Sequence, residues 1–260
     1  MKGRPARATA GLCLLVALHV AGCSGDGSLA RLINPHTPKP TPGFSPDSPA
    51  NVLRLLEWSY NHRSLPHLRE LFSDDFRFFC SPVDSAGVPW RSQPFRREDE
   101  LISATHLFAG GGGEPPATII QLSFDRSFLV QPDPYYVTFP PPNETVLRDP
   151  SGRWHKSIRT TVTLQIATDD GNSLEISGHA TFYFVRGDSA LIPQELIDRG
   201  FRPDSTRWWI RRWDDETAEE GAGSARARPF ARPGPAGRPP VLGAQPLQST
   251  TWCALKTLYR

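Results

Sequence analysis

Apolar positions along this chain follow a helical spacing in the first half of its central region and a period of two in the second half. Ser48-Pro49 reads as an N-cap followed by proline at the first helical position. Val52, Leu53, Leu55, Leu56, Ser59 and Tyr60 then form one apolar stripe, so a helix is expected from Pro49. Leu65 to Phe72 predicts a second, shorter helix, and Phe76-Arg77-Phe78-Phe79-Cys80 a short strand by its aromatic content. A third helix is expected over Arg96 to Phe108, ending at Gly110 to Gly113, where glycine makes continuation costly.

From Trp154 to Ile166 the pattern changes. Ile158, Val162, Leu164 and Ile166 alternate with His155, Ser157, Arg159, Thr161, Thr163 and Gln165, which predicts a strand with one buried face. Asp169-Asp170-Gly171-Asn172 reads as a hairpin turn. The returning strand places Leu174, Ile176, Ala180, Phe182 and Phe184 on one side and Glu175, Ser177, His179, Thr181 and Tyr183 on the other. Thr206 to Trp213 predicts a last antiparallel strand, with Trp209, Arg211 and Trp213 on one face and Trp208 and Ile210 on the other. Ala117 to Phe124 reads as an earlier strand, with weaker ones between Ser127 and Leu147. The fold class expected is α+β, three N-terminal helices packed on a curved, cone-like antiparallel sheet, flanked by disordered tethers.

The flanks differ in composition. Residues 23–48 are rich in proline, glycine and serine and read as a semi-extended tether; residues 215–248 start acidic, turn to Arg, Ala, Pro and Gly, and read as a disordered linker. Residues 249–260 predict a short C-terminal helix capped by Ser249, with Trp252, Leu255 and Leu258 on its docking face. The domain proper is thus expected over 49–214. At the front, Lys2, Arg4 and Arg7 precede the apolar run Ala8 to Val20, the pattern of a signal peptide over residues 1–22.

A net charge of +2 removes any whole-protein field that would favour nucleic acid. Of the four cysteines, Cys13 and Cys23 belong to the export segment, which leaves Cys80 and Cys253, too few for a zinc site. They either pair across a long loop or sit apart as small buried side chains.

Val20-Ala21-Gly22-Cys23 resembles the lipobox of bacterial lipoproteins. The resemblance implies cleavage before Cys23, a diacylglyceryl thioether on its sulfur and an N-acyl chain. More than one chain is what stable anchoring requires. Ser24 after the cysteine leans toward the outer membrane, so a lipid-anchored place in a bacterial envelope is expected.

Two further stretches carry a second resemblance. Tyr60-Asn61-His62-Arg63-Ser64-Leu65-Pro66-His67-Leu68-Arg69-Glu70-Leu71-Phe72-Ser73-Asp74-Asp75-Phe76 and Trp209-Ile210-Arg211-Arg212-Trp213-Asp214 are similar to the entry and closing strand of the nuclear transport factor 2-like fold, the SnoaL-like or ketosteroid-isomerase-like cone. The resemblance spans about residues 50–213. The proline-rich insert around Pro132 to Pro142 departs from it. Enzymes of this fold place an acid, a base or a tyrosine inside the cone, because proton abstraction needs a shielded ionisable group.

Here the inward positions of the two long strands are aliphatic or aromatic, broken by Thr160 and Gly178, which points to a core rather than a reaction site. Asp75, Asp125, His155 and His179 read as solvated or hydrogen-bonded surface groups, so no catalytic residue, metal ligand or cofactor is expected. Gly110 to Gly113 lacks the lysine of a phosphate loop. Trp208, Trp209 and Trp213, with Tyr183, are the candidates for a pocket or partner surface, against a reading in which they close the core. The expected function is a non-catalytic ligand- or protein-binding domain on a membrane-anchored lipoprotein, its partners the membrane through Cys23, a protein or second copy, or a small apolar ligand. Two alternatives stand beside it: a small ketosteroid-isomerase-like or SnoaL-like enzyme, and a peptidoglycan-associated structural protein using the basic tail.

Overall fold

A computed structural model describes residues 41–138, 149–169, 171–217 and 248–260. The signal peptide, Cys23, most of the 23–48 tether and most of the 215–248 linker with its arginines lie outside the described residues.

Helix α1 (Pro49–Asn61) starts as its sequence dictates: the Ser48 side chain accepts from Asn51 N, and proline fills the first turn. Its stripe from Val52 to Tyr60 is buried. Helix α2 (Leu65–Arg69) is shorter than expected, and β1 (Phe72–Phe79) begins at Phe72 rather than Phe76. Phe72, Phe76 and Phe78 all reach the core, and a strand interrupted by a register shift, not a helical turn, delivers them there. Then follow β2 (Phe95–Arg96), α3 (Arg97–Ala109), β3 (Ala117–Phe124), β4 (Gln131–Pro132) and α4 (Pro134–Thr138). Of the stretch between Ser127 and Leu147 where weaker strands are expected, the described part holds one short strand and one helical turn, and residues 139–147 lie outside the described residues. The hairpin β5 (His155–Thr168) and β6 (Ser173–Arg186), α5 (Gln194–Asp198), β7 (Trp208–Asp215), β8 (Gln248–Ser249) and α6 (Trp252–Leu258) complete the order.

The strands form one curved sheet in the order β2-β1-β7-β6-β5-β3, with β4 on β5 and β8 on β6. It is mixed, not wholly antiparallel: β1 pairs parallel with β7, and β8 parallel with β6. Nor do the helices form one N-terminal block, because β1 and β2 separate α2 from α3. Helices α1, α3 and α6 cover one face of the sheet, where the main core lies. On the opposite face α5 sits over a smaller cluster of Val185, Leu196 and Trp209.

The C-terminal helix differs in detail from its sequence reading. Thr251, not Ser249, is the N-cap: its hydroxyl accepts from Ala254 N and donates to Asp84 Oδ2. Ser249 is taken up by β8, paired with Glu175. Leu258 is 42% exposed, and the inward positions belong to Trp252, Cys253, Leu255, Lys256 and Tyr259. Cys253 is joined to Cys80, with Cα atoms 5.5 Å apart, so α6 is tied to the segment that follows β1.

Behind β6 the chain passes close to itself at Gly187, whose N–H donates to Arg207 O. A Cβ there would stand 1.8 Å from Asp204 O. Gly187→Ala must therefore displace backbone, and chemical denaturation should show a loss of roughly 3 kcal/mol or more; a change within about 0.5 kcal/mol would contradict this packing.

Candidate functional site

The strand β7 carries an irregularity that decides which side chains meet on the outer face. Tyr183 of β6 pairs with Arg212, but the next residue, Phe184, pairs with Ile210, so Arg211 is an extra residue on β7. A bulge of this kind sets two residues against one and resets the alternation beyond it. Trp213 therefore joins Trp208 and Ile210 in the main core, and its ring lies 4.8 Å from Phe182 and 4.7 Å from Trp252. Trp209 is left on the outer side, packed under Phe201 near α5. The expected grouping of Trp209 with Trp213 on one face is corrected by this bulge. All three tryptophans are buried, and none of them lines the cleft on the outer face.

The same bulge turns both Arg211 and Arg212 toward a cleft of about 690 Å³ on the outer face. Asp75, Arg77 and Phe79 of β1, Tyr183 of β6 and His155 of β5 line its floor, and Asp133, Tyr135 and Tyr136 lie at the start of α4 and just before it. Pairing across strands puts Arg77 beside Arg212, and Arg212 beside Tyr183. Two like charges directly opposite repel unless something anionic intervenes. Arg212 has that partner, its Nε and Nη2 donating to the two Asp214 oxygens at 2.6 and 2.9 Å. Its guanidinium also lies 4.4 Å over Phe79 and 5.1 Å over Tyr183. Arg211 Nε donates to Asp75 Oδ2 at 2.6 Å. Arg77 donates to the backbone oxygen of Phe76 and makes no ion pair with a described residue.

His155 was expected on a solvated face and is instead 3% exposed. The fold of the 131–136 segment over the end of β5 explains this, since the Tyr136 ring stacks on the imidazole with centroids 3.6 Å apart. Burial depresses the His155 pKa and favours the neutral ring, although Asp149 Oδ2 stands 3.4 Å from Nδ1. Burial alone would raise the Asp149 carboxyl, but backbone N–H groups of Trp154, Arg153 and His155 outweigh it and hold the group below its ordinary range. Asp75 lies within β1 rather than before it. Asp125 caps an exposed turn at Ser127, and His179 meets Thr161 on an exposed face. Neither reaches the cleft.

Two more groups set the charge of the cleft. Burial pushes Asp133 up to about 6, even though its Oδ1 accepts from Tyr135 N. Burial raises Tyr183 to about 12, so its hydroxyl keeps its proton at neutral pH. A guanidinium with no ion-pair partner among the described residues, in a cleft lined by Phe79, Tyr135, Tyr136 and Tyr183, suits a flat organic anion. Of the lining residues the sequence names Tyr183 as a pocket candidate, and Asp75 and His155 only as surface ionisable groups. The adjacent pairs Arg211-Arg212 and Tyr135-Tyr136 are the signals in the sequence that point to the others.

No protein-family model matches the chain, and no curated protein matches it. Among solved structures it is similar to a conserved protein from Planctomyces limnophilus, at 17% identity and a TM-score of 0.39, over 64% of this chain and 91% of the other. It is also similar to a nuclear transport factor 2-like superfamily protein from Salmonella enterica, at 13% identity and a TM-score of 0.39, over 67% and 92%. A third is an NTF2-like protein of unknown function in nutrient uptake from Rhodospirillum rubrum, at 12% identity and a TM-score of 0.36, over 64% and 95%.

Asp133 makes the stability of the domain depend on pH. Its folded pKa of about 6 lies above the ordinary 3.8, so between these values the folded state holds a proton the unfolded state has lost. The contribution is fully present at low pH and is lost as pH rises through 6. Asp133→Asn keeps the oxygen that caps α4 and removes the titration. Urea denaturation should show the variant gaining on the wild type by on the order of 2 kcal/mol between acid and neutral pH. An unchanged difference would mean Asp133 is not strained by burial.

Proposed function

We propose that this chain is a lipid-anchored protein of a bacterial envelope whose folded domain is a non-catalytic receptor for a small aromatic carboxylate, bound in the outer-face cleft. The observation that carries the binding reading is Arg77, which lies among aromatic walls and beside a second arginine whose charge is already matched. A carboxylate reaching Arg77 would make a charge-assisted, two-pronged contact, and its ring would lie against Tyr136, Phe79 and Tyr183. The anchor rests on the lipobox-like Val20-Ala21-Gly22-Cys23. Among the described residues no helix is long and apolar enough to cross a membrane. The nuclear transport factor 2-like reading rests on the order of elements: two helices, a strand, a third helix ending at glycines, a long hairpin and a Trp-rich closing strand.

A second reading is an acid–base enzyme of the same fold. Asp75 and His155 open into one cleft beside Tyr183, and Asp149 backs the imidazole, which favours it. Against it, Asp75 is held by Arg211 and the imidazole is buried under Tyr136.

Benzoate serves as the probe. Calorimetric titration should give saturable binding to the wild type and roughly tenfold to a hundredfold weaker binding to Arg77→Met, as expected for losing one charge-assisted contact. Equal affinity in the two proteins would remove the cleft from consideration. Cys23→Ser should abolish incorporation of labelled fatty acid, and retained labelling would remove the anchor.

A further inference from the structure

The face of the sheet opposite the cleft holds a group of charges that the cleft does not use. Lys256 of α6 is 1% exposed and Glu100 of α3 fully buried. The two are ion-paired, and Tyr60 donates to the other Glu100 oxygen at 2.9 Å. The Lys256 ammonium also stands 4.5 Å from the ring centre of Phe78, 4.8 Å from Trp213 and 5.3 Å from Trp252. A cation held over several aromatic faces and a carboxylate, away from water, is the arrangement by which proteins recognise ammonium ligands. The acidic side is in excess. Glu100, Asp84 and Asp215 are all buried, and Lys256 is the only buried lysine among the described residues. Asp215 Oδ2 has no hydrogen-bond partner among the described residues. Burial, with the charge of Asp84 adding to it, pushes this carboxyl up to about 7.

We propose that this cage is a binding site for a small primary alkylammonium ligand, that Lys256 fills it as a tethered internal ligand, and that the Cys80–Cys253 disulfide locks it in place. Opening the lock needs an external dithiol. Two electrons and two protons pass from that reductant to Cys80 and Cys253, which become thiols, while the dithiol closes to its own disulfide. Helix α6 has seven residues, too few to persist alone, so once the bond is cut it is held by its packing, the Lys256–Glu100 pair and polar contacts such as Thr251 to Asp84. The bond spans 173 residues of sequence, and its loss lowers the effective concentration of Lys256 at the cage. A free amine then competes for Glu100, with Phe78, Trp213 and Tyr60 as remaining walls after Trp252 leaves with α6.

The test uses the full chain, oxidised and dithiol-reduced, titrated with n-butylammonium chloride and with n-butanol as the uncharged control. Tryptophan fluorescence reports binding, and amide exchange over 252–258 reports release of α6. The reduced protein should bind the amine at least about tenfold more tightly than the oxidised one, with loss of protection across α6. Equal binding by the two forms, no saturable binding by the reduced form, or equal binding of n-butanol overturns the proposal. This comparison needs no variant, so it does not depend on whether a mutant folds. Lys256→Ala gives an independent reading: its melting temperature should fall, and n-butylammonium but not n-butanol should restore it. Absence of restoration overturns the cage as an ammonium site.

Discussion

Burying an ammonium against a carboxylate is expensive, because both ions lose their water and recover it only through well-placed partners. The Lys256–Glu100 pair meets that condition: Tyr60 takes the second Glu100 oxygen, and aromatic faces surround the ammonium. Such a pair contributes little net stability compared with an apolar filling, yet it is unforgiving of misplacement, since either partner alone would be left charged in the core. It therefore sets the register of α6, a helix too short to define its own position. With the disulfide it seats the C-terminal segment between α3 and the sheet.

That seating has a consequence for the other face. The space between helices and sheet is occupied by Trp252, Leu255, Lys256 and Tyr259. An open cleft lies instead on the outer face, where the β7 bulge turns two consecutive arginines the same way and the 131–136 segment folds over His155. One inserted residue thus both sends Trp213 into the core and brings Arg211 and Arg212 into the cleft. The domain holds two cationic arrangements of opposite sense: an internal ammonium satisfied by the protein's own acids, and an outer guanidinium, Arg77, with no ion-pair partner among the described residues.

Much of the scaffold is legible in the sequence because local rules and tertiary packing agree there. The Ser48-Pro49 cap and its stripe, the glycines after α3, and the alternation of β5 and β6 each follow from spacing alone. The misses share one cause, contacts between residues far apart in the chain. The phase of β7 is fixed by its pairing with β6, so alternation counted along β7 assigns Trp213 to the wrong face. His155 reads as solvated because its cover comes from a proline-rich insert with little periodicity. Nothing in the spacing of the short terminal helix marks Lys256 as inward-facing, and only the fold places it opposite Glu100. The parallel β1–β7 pairing, which sets Arg77 beside Arg212, likewise joins the two ends of the domain.

With the disulfide intact, the proposed ligand is received on the outer face and not between helices and sheet. Chemical-shift mapping of the oxidised, isotope-labelled protein during titration with benzoate tests it most directly. Saturable shifts should gather at Arg77, Tyr136, Tyr183 and Arg212 while Tyr60, Glu100 and Trp252 stay unmoved. Shifts concentrated at Tyr60, Glu100 and Trp252, with the outer residues silent, would contradict it.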